Sequence, residues 1–215
     1  MKRSVLLSVL VAVFATGVWA QSTAASANAS PDDVQHSELS VQVSGVLTRN
    51  TNNAPTTHLA TNSAGLLVGY RVHLNHWEAL EVEYGYTSNG QRYFTAPTAG
   101  NTSGFAGAVT ARMHQFIANE VVTTPRLFGF LQPFVLAGGG ALYFRPRSDS
   151  LVAANNQWRG AFNYGAGVDF HIMHLGARAE YQGLIFKVPN FGNPLLNVNK
   201  FTHVAQPSVG LVFTF

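Results

Sequence analysis

The stretch GAGVDFHIMHLGARAEYQ, residues 165–182, alternates in polarity on either side of a short break. Before the break, Phe162, Tyr164, Val168 and Phe170 fall on one parity, and Asn163, Gly165, Gly167 and Asp169 on the other. After it, Leu175, Ala177, Ala179 and Tyr181 oppose Gly176, Arg178, Glu180 and Gln182. A period of two is the side-chain period of a β-strand, and two such runs joined by a few residues predict a hairpin. Each strand has one apolar face and one face carrying charge. A soluble sheet would bury the first and wet the second, whereas a membrane barrel does the reverse. The rest of the chain decides between them.

Charged residues are only 11% of the 215, while aromatics reach 12% and glycines number 20. A soluble surface needs far more charge. No internal run approaches the roughly 18 apolar residues of a transmembrane helix. The one long apolar run is MKRSVLLSVLVAVFATGVWA at the start. Lys2 and Arg3, the apolar stretch and Val18-Trp19-Ala20 have the layout of a secretory signal peptide, so residues 1–20 are expected to be cleaved before Gln21. Without Lys2 and Arg3 the chain is near neutral and shows no basic stripe, which argues against nucleic-acid binding. There is no cysteine, hence neither a lipid-anchored N-terminus nor a disulfide. Residues 21–37 are small and polar and are expected to form a flexible periplasmic leader.

From Glu38 the chain reads as eight short strands, at about 38–49, 63–73, 77–88, 105–119, 130–144, 158–170, 175–186 and 203–215. The gaps at 74–76 and 171–174 are tight, and 120–129, with Pro125, is moderate. The gaps at 50–62, 89–104, 145–157 and 187–202 are long and rich in Asn, Thr, Pro, Ser and Gly. Short turns at one end and long loops at the other are the layout of an outer-membrane barrel. The fold expected for residues 38–215 is therefore an all-β, eight-stranded antiparallel up-and-down transmembrane β-barrel. Its last strand, VGLVFTF, places Val209, Leu211, Phe213 and Phe215 on one face, expected to meet lipid.

With apolar faces toward lipid, mid-strand charges point into the lumen, which in an eight-stranded barrel is just filled by side chains. Arg71, Glu81, Glu83, Arg112 and His114 lie on neighbouring strands, as do Asp169, Arg178 and Glu180. Unpaired charges there would be costly, so two salt-bridged clusters are expected. The run PFVLAGGGALYF is apolar on both parities and has no orientation from sequence; its AGGGAL, inside a strand and without the Lys-Ser/Thr of a P-loop, is read as relief of crowding. Trp77, Trp158, Tyr143 and Phe144 are expected in the aromatic girdles, and Arg92, Arg145 and Arg147 among the loops as solvated charge or contacts to lipopolysaccharide phosphates.

GYRVHLNHWEALEVEYGYT (69–87), PFVLAGGGALYFRP (133–146) and GAGVDFHIMHLGARAEYQ (165–182) resemble the small OmpA-like outer-membrane β-barrel family. Gly167-Val168-Asp169 and Arg178-Ala179-Glu180-Tyr181 match that family's recurrent hairpin. The resemblance covers about residues 38–215. It implies residence in the outer membrane of a Gram-negative-type bacterium and a role as surface antigen, adhesin, envelope stabiliser or narrow pore. It further implies that Phe213 and Phe215 form the C-terminal signal for the barrel-insertion machinery. The partners expected are outer-membrane lipid and lipopolysaccharide, with the protein a monomer.

Two His-x-x-His pairs, His73/His76 and His171/His174, invite a metal reading. No acid or cysteine obviously completes either set, so they are taken as turn residues, with no metal or cofactor expected. The segments THLATNS (57–63) and FTHVAQPS (201–208) bring a His near a hydroxyl, as a lipid A-modifying barrel enzyme would need, but carry no further signature. The function expected is thus an envelope structural or surface-interaction protein with a charge-plugged lumen and no enzymatic activity. A narrow pore for small solutes is the alternative.

Overall fold

The computed structural model describes residues 37–53, 56–94, 104–148, 150–172 and 174–215. The expected signal peptide (1–20) and all but the last residue of the leader lie outside them. The strands are β1 (Ser37–Thr48), β2 (Thr51–Asn53), β3 (Thr56–Ala60), β4 (Ser63–His73), β5 (Glu78–Phe94), β6 (Phe105–Thr123), β7 (Leu131–Pro146), β8 (Gln157–Ile172), β9 (Leu175–Lys187) and β10 (Phe201–Thr214). Each long strand pairs antiparallel with its neighbour in the order β5-β4-β1-β10-β9-β8-β7-β6, and β6 pairs back onto β5. Eight strands therefore close into an up-and-down barrel. The β2–β3 hairpin extends the wall upward along the far end of β5, Thr57 opposite Phe94 and Ala60 opposite Gln91.

Closure is what allows a sheet to sit in hydrocarbon, because an open edge would leave backbone groups without partners. The seam between first and last strands runs from Glu38 opposite Thr214 to Thr48 opposite Val204. It continues into reciprocal backbone bonds between Ser37 and Phe215, at 2.9 and 3.0 Å. Side chains then sort by parity. Val41, Val43, Leu66, Val68, Val82, Tyr84, Phe116, Val135, Phe162, Tyr181, Val209 and Leu211 are exposed on the outside. Arg71, Glu81, Glu83, Asp169 and Arg178 are buried inside. From Trp77 to Tyr86 the outer apolar band rises nine residues, roughly 23 Å along the barrel axis at ~40° tilt, which matches a membrane's hydrocarbon thickness. No helix among the described residues is long and apolar enough to cross a membrane; the strands do the crossing.

The tight turn between β4 and β5 is locally specified: Asn75 Oδ1 accepts from the backbone N–H of Trp77 (2.8 Å) and of Glu78 (2.9 Å). β5 and β6 run further than the sequence pattern suggests. Asn89, Gly90 and Gln91 look like turn formers, yet they pair with Ala111, Thr110 and Val109 and carry the wall to Phe94. Likewise Glu120 to Thr123 stays in the ladder instead of starting a loop. β7, which had no orientation from sequence, places Phe134, Leu136, Leu142 and Phe144 inward and Val135 outward. Its glycines permit a close approach of β6: a Cβ on Gly138 or Gly140 would collide with the carbonyl oxygen of Ala118 or Phe116.

Candidate functional site

The lumen is stratified into three layers. Next to the short turns and the termini lies a charge network built from five strands: Glu38 (β1), Arg71 (β4), Glu81 (β5), Asp169 (β8) and Arg178 (β9). Arg178 Nε donates to Asp169 Oδ1 at 2.6 Å, Nη1 to Glu81 Oε2 at 3.0 Å and Nη2 to Glu38 Oε2 at 3.0 Å. Arg71 Nε donates to Glu81 Oε2 at 2.9 Å and Nη1 to Asp169 Oδ2 at 3.1 Å. Both guanidinium groups lie over the ring of Phe134, 4.4 and 5.0 Å from its centroid. His73 and His171 close the bottom, each with Nε2 on Glu38 Oε1, at 3.2 and 3.3 Å. A carboxylate shared by two arginines gains several charge-assisted hydrogen bonds at once, which is the condition for burying charge at tolerable cost.

Above this, two further acids are held by neutral amides. Glu83 accepts from Gln115 Nε2 and Gln182 Nε2, both at 2.7 Å. Glu180 accepts from Gln182 Nε2 at 2.7 Å and Gln42 Nε2 at 3.3 Å. Asn163 bonds Asn119 at 2.9 Å, and Ser208 donates to Gln42 Oε1 at 3.0 Å. Oxygens of Glu81, Glu83 and Glu180 lie within 4.8 Å of one another, the only such carboxylate trio among the described residues. Five of its six oxygens already accept from an amide or a guanidinium, Glu81 Oε1 being the exception. N–H donors aimed at the carboxylates suit a hydrogen-bonded plug better than a cation.

The third layer is apolar. Val46, Val109, Met113, Leu142, Phe144, Leu184, Phe186 and Val204 fill the upper lumen. The segment between β9 and β10 folds into the mouth: Val188, Phe191, Leu196 and Val198 are buried there, Phe191 edge-on to Phe144. Gln157 fixes this segment by accepting from the backbone N–H of Asn190 and Phe191, both at 3.0 Å, and the Tyr93 hydroxyl donates to the Pro189 carbonyl at 2.7 Å.

The structure thus gathers Arg71, Glu81, Asp169 and Arg178 into one network where sequence suggested two, with Glu83 and Glu180 in the amide layer above it. Two residues expected in the lumen are outside it. On β6 the inward parity is Val109, Ala111, Met113, Gln115, Ile117 and Asn119, so Arg112 and His114 face outward. The reason is the stratification: at that height the interior is apolar, so the rule that charge points inward fails. Arg112 stands one outward step above His114, whose ring lies among Tyr84, Tyr86 and Tyr143. Conversely, Phe144 is not a girdle residue but is buried in the upper plug. Trp77 and Trp158 are exposed on the outer wall, and Tyr143 packs against Trp158 at 4.7 Å.

The histidines divide. His73 and His171 are inward-facing members of the charge network, whereas His76 and His174 are exposed at the turns. Glu38, their common partner, is the residue that sequence reasoning missed, although its odd position as an acid at the start of an alternating strand was visible. His58 is buried against the Tyr93 ring, with centroids 5.0 Å apart. His203 Nε2 meets the Tyr164 hydroxyl outside while Ser208 lies inside, so FTHVAQPS forms no His–Ser pair. Phe213 and Phe215 are exposed on the outer wall, Phe215 6.4 Å from the Tyr70 ring.

No family model matches the chain, and no curated protein matches it in sequence. Solved structures do. Ail, the attachment invasion locus protein of Yersinia pestis, in complex with the heparin analogue sucrose octasulfate, superposes with a TM-score of 0.51 at 15% identity, covering 84% of this chain and 99% of that one. Neisserial surface protein A gives 0.51 at 10% identity, over 83% and 97%. OprG of Pseudomonas aeruginosa gives 0.48 at 10%, over 85% and 97%. With the closed eight-stranded ring, the inside-out polarity and the likeness to Ail and to Neisserial surface protein A together, the fold of this chain is that of the small OmpA-like outer-membrane β-barrels.

Proposed function

We propose that this chain is a monomeric envelope protein that spans the outer membrane as a closed plug and acts through the surface it displays, as an adhesin, antigen or stabilising element. One observation carries the reading: the lumen is filled along its length, by ion pairs below, amides in the middle and a folded-in apolar segment above. A conduit would need the segment at 188–200 to leave the mouth and Arg178 to leave three carboxylates. Similar structures from proteins named for attachment and for surface display support the reading. In this account residues 1–20 direct export, residues 21–37 form a periplasmic leader, and Phe213 and Phe215 are read by the barrel-insertion machinery.

The test is conductance. Purified protein in planar bilayers is expected to give a flat baseline. A variant lacking residues 190–199 that still migrates differently before and after boiling is expected to remain closed by the charge layer. Discrete open-channel steps from the intact protein would establish the narrow-pore alternative and overturn this one.

A further inference from the structure

The sequence carries two His-x-x-His pairs with no acid obviously placed to complete either set. The fold takes one histidine from each pair and supplies the acid from a third strand. His73 ends β4, His171 lies one residue before the end of β8, and Glu38 is the second residue of β1. β4 and β8 stand four strands apart in the ring of eight, so the two imidazoles reach Glu38 from opposite walls. His73 Nε2 lies 3.2 Å and His171 Nε2 3.3 Å from the same oxygen, Glu38 Oε1. All three side chains are buried, at 4%, 3% and 1% exposure.

Donor type, spacing and support in this cluster are those of a metal site. Imidazole nitrogens with a carboxylate oxygen are the ligands of zinc sites that keep a fourth position open for water. Bonds of about 2.0–2.1 Å around a tetrahedral ion set neighbouring ligand atoms roughly 3.3 Å apart. A charge-assisted N–H on a carboxylate sits closer, at about 2.7–2.9 Å. The carboxylate is also held from behind: Arg178 Nη2 donates to Glu38 Oε2 at 3.0 Å, which leaves Oε1 to the imidazoles.

The surroundings favour a cation as well. Among the described residues, the buried carboxylates are Glu38, Glu81, Glu83, Asp169 and Glu180, and the buried guanidiniums facing them are Arg71 and Arg178 alone. Acids therefore outnumber bases in the lower lumen, and a divalent ion at its floor offsets part of the excess while the arginine contacts stay in place.

We propose that His73, His171 and Glu38 form a zinc site at the floor of the lumen, tying β1, β4 and β8 together at the turn end. Because the rings come from opposite walls, the ion draws them inward by rotation about their side-chain bonds. His76 and His174, the other halves of the two motifs, are exposed at the turns and stand outside the ligand set. The site goes beyond the surface role proposed above and holds whether or not the lumen conducts.

The test uses the full mature chain folded in zwitterionic detergent and stripped of metal by a chelator, with the heat-dependent gel shift checked for every variant. Co2+ serves as a coloured probe whose visible absorption reports four-coordinate binding, and Zn2+ is titrated against it in competition. Wild-type protein is expected to take up one Co2+ per barrel and to release it to Zn2+. H73Q/H171Q is expected to lose about tenfold or more in affinity, and H76Q/H174Q to bind like wild type. Zn2+ is also expected to raise the urea midpoint of wild-type protein but not that of H73Q/H171Q, since an ion that binds only the folded site stabilises it. Wild-type barrel that takes up no Co2+, or equal binding by H73Q/H171Q, would overturn the site. Loss of binding in H76Q/H174Q alone would overturn its assignment to the lumen and place the ion at the exposed turns.

Discussion

The two ends of the lumen solve one problem with opposite chemistries. Both must fill the interior of an eight-stranded barrel, where a void or an unpaired polar group is costly. At the turn end, Arg178 reaches Asp169, Glu81 and Glu38, and the packing is dictated by charge and donor direction. At the loop end, Leu142, Phe144, Phe186 and Phe191 interlock by shape alone. The first solution needs five residues from separate strands in one register, since a slip of one residue would turn each to lipid. The second tolerates substitution of like volume. The charged end therefore fixes which strands pair and how, and the apolar end completes the seal.

The sharpest way to break this comparison is Arg178→Met, which keeps bulk and removes charge. Three carboxylates lose a shared donor, and a loss of about 3–5 kcal/mol is expected in the urea midpoint of folding into micelles. A negligible change would mean that the network is ornamental. Next is Phe144→Ala in the apolar half, expected to cost about 3 kcal/mol by the same measurement, through the cavity left against Phe186 and Phe191. If Phe144 were a girdle residue, as its sequence position suggests, the loss would be small.

Much of this was legible in the sequence, and the failures have two causes. Strand number, closure and the inward faces of β5, β8 and β9 follow from strict alternation with one charged parity, as in Glu81 and Glu83 or Asp169. Alternation gives two faces but does not say which is inside when neither is charged, and the run from Pro133 to Phe144 in β7 offered no charge to decide. On β6 the charge rule misled, because Arg112 lies above the membrane's apolar band and the apolar residues opposite it line the interior. The mouth plug was illegible for a different reason. Val188, Phe191, Leu196 and Val198 have no period, and a loop folding back into a barrel is decided by the cavity it fills.

Smaller effects sharpen the contrast further. Leu142→Met, a swap of similar volume in the apolar plug, is expected to cost less than about 1.5 kcal/mol, whereas no single replacement of Arg178 should be so mild. Arg112→Gln is expected to change folding stability by at most about 0.5 kcal/mol, because the side chain is on the outer wall. A loss like that of Arg178→Met would return Arg112 to the lumen.

The smallest expected effect is local and pH-dependent. His58, on the β2–β3 hairpin above the membrane, is buried against Tyr93, and burial lowers its pKa to about 4. A ring that resists protonation when folded stabilises the hairpin fully above its unfolded pKa of about 6.5. That contribution declines as pH falls from there toward 4. Amide exchange at residues 57–60 is therefore expected to quicken over this window, and His58→Phe to abolish the dependence.

The account rests on which side chains meet lipid and which meet one another. Methyl-resolved NMR of the folded protein in lipid nanodiscs measures this directly. Nuclear Overhauser contacts with acyl chains are expected for Leu66, Val82, Val135 and Val209, while Val109, Ile117, Leu142 and Leu184 contact only the protein interior. Acyl-chain contacts to the second group, or their absence from the first, would contradict the architecture.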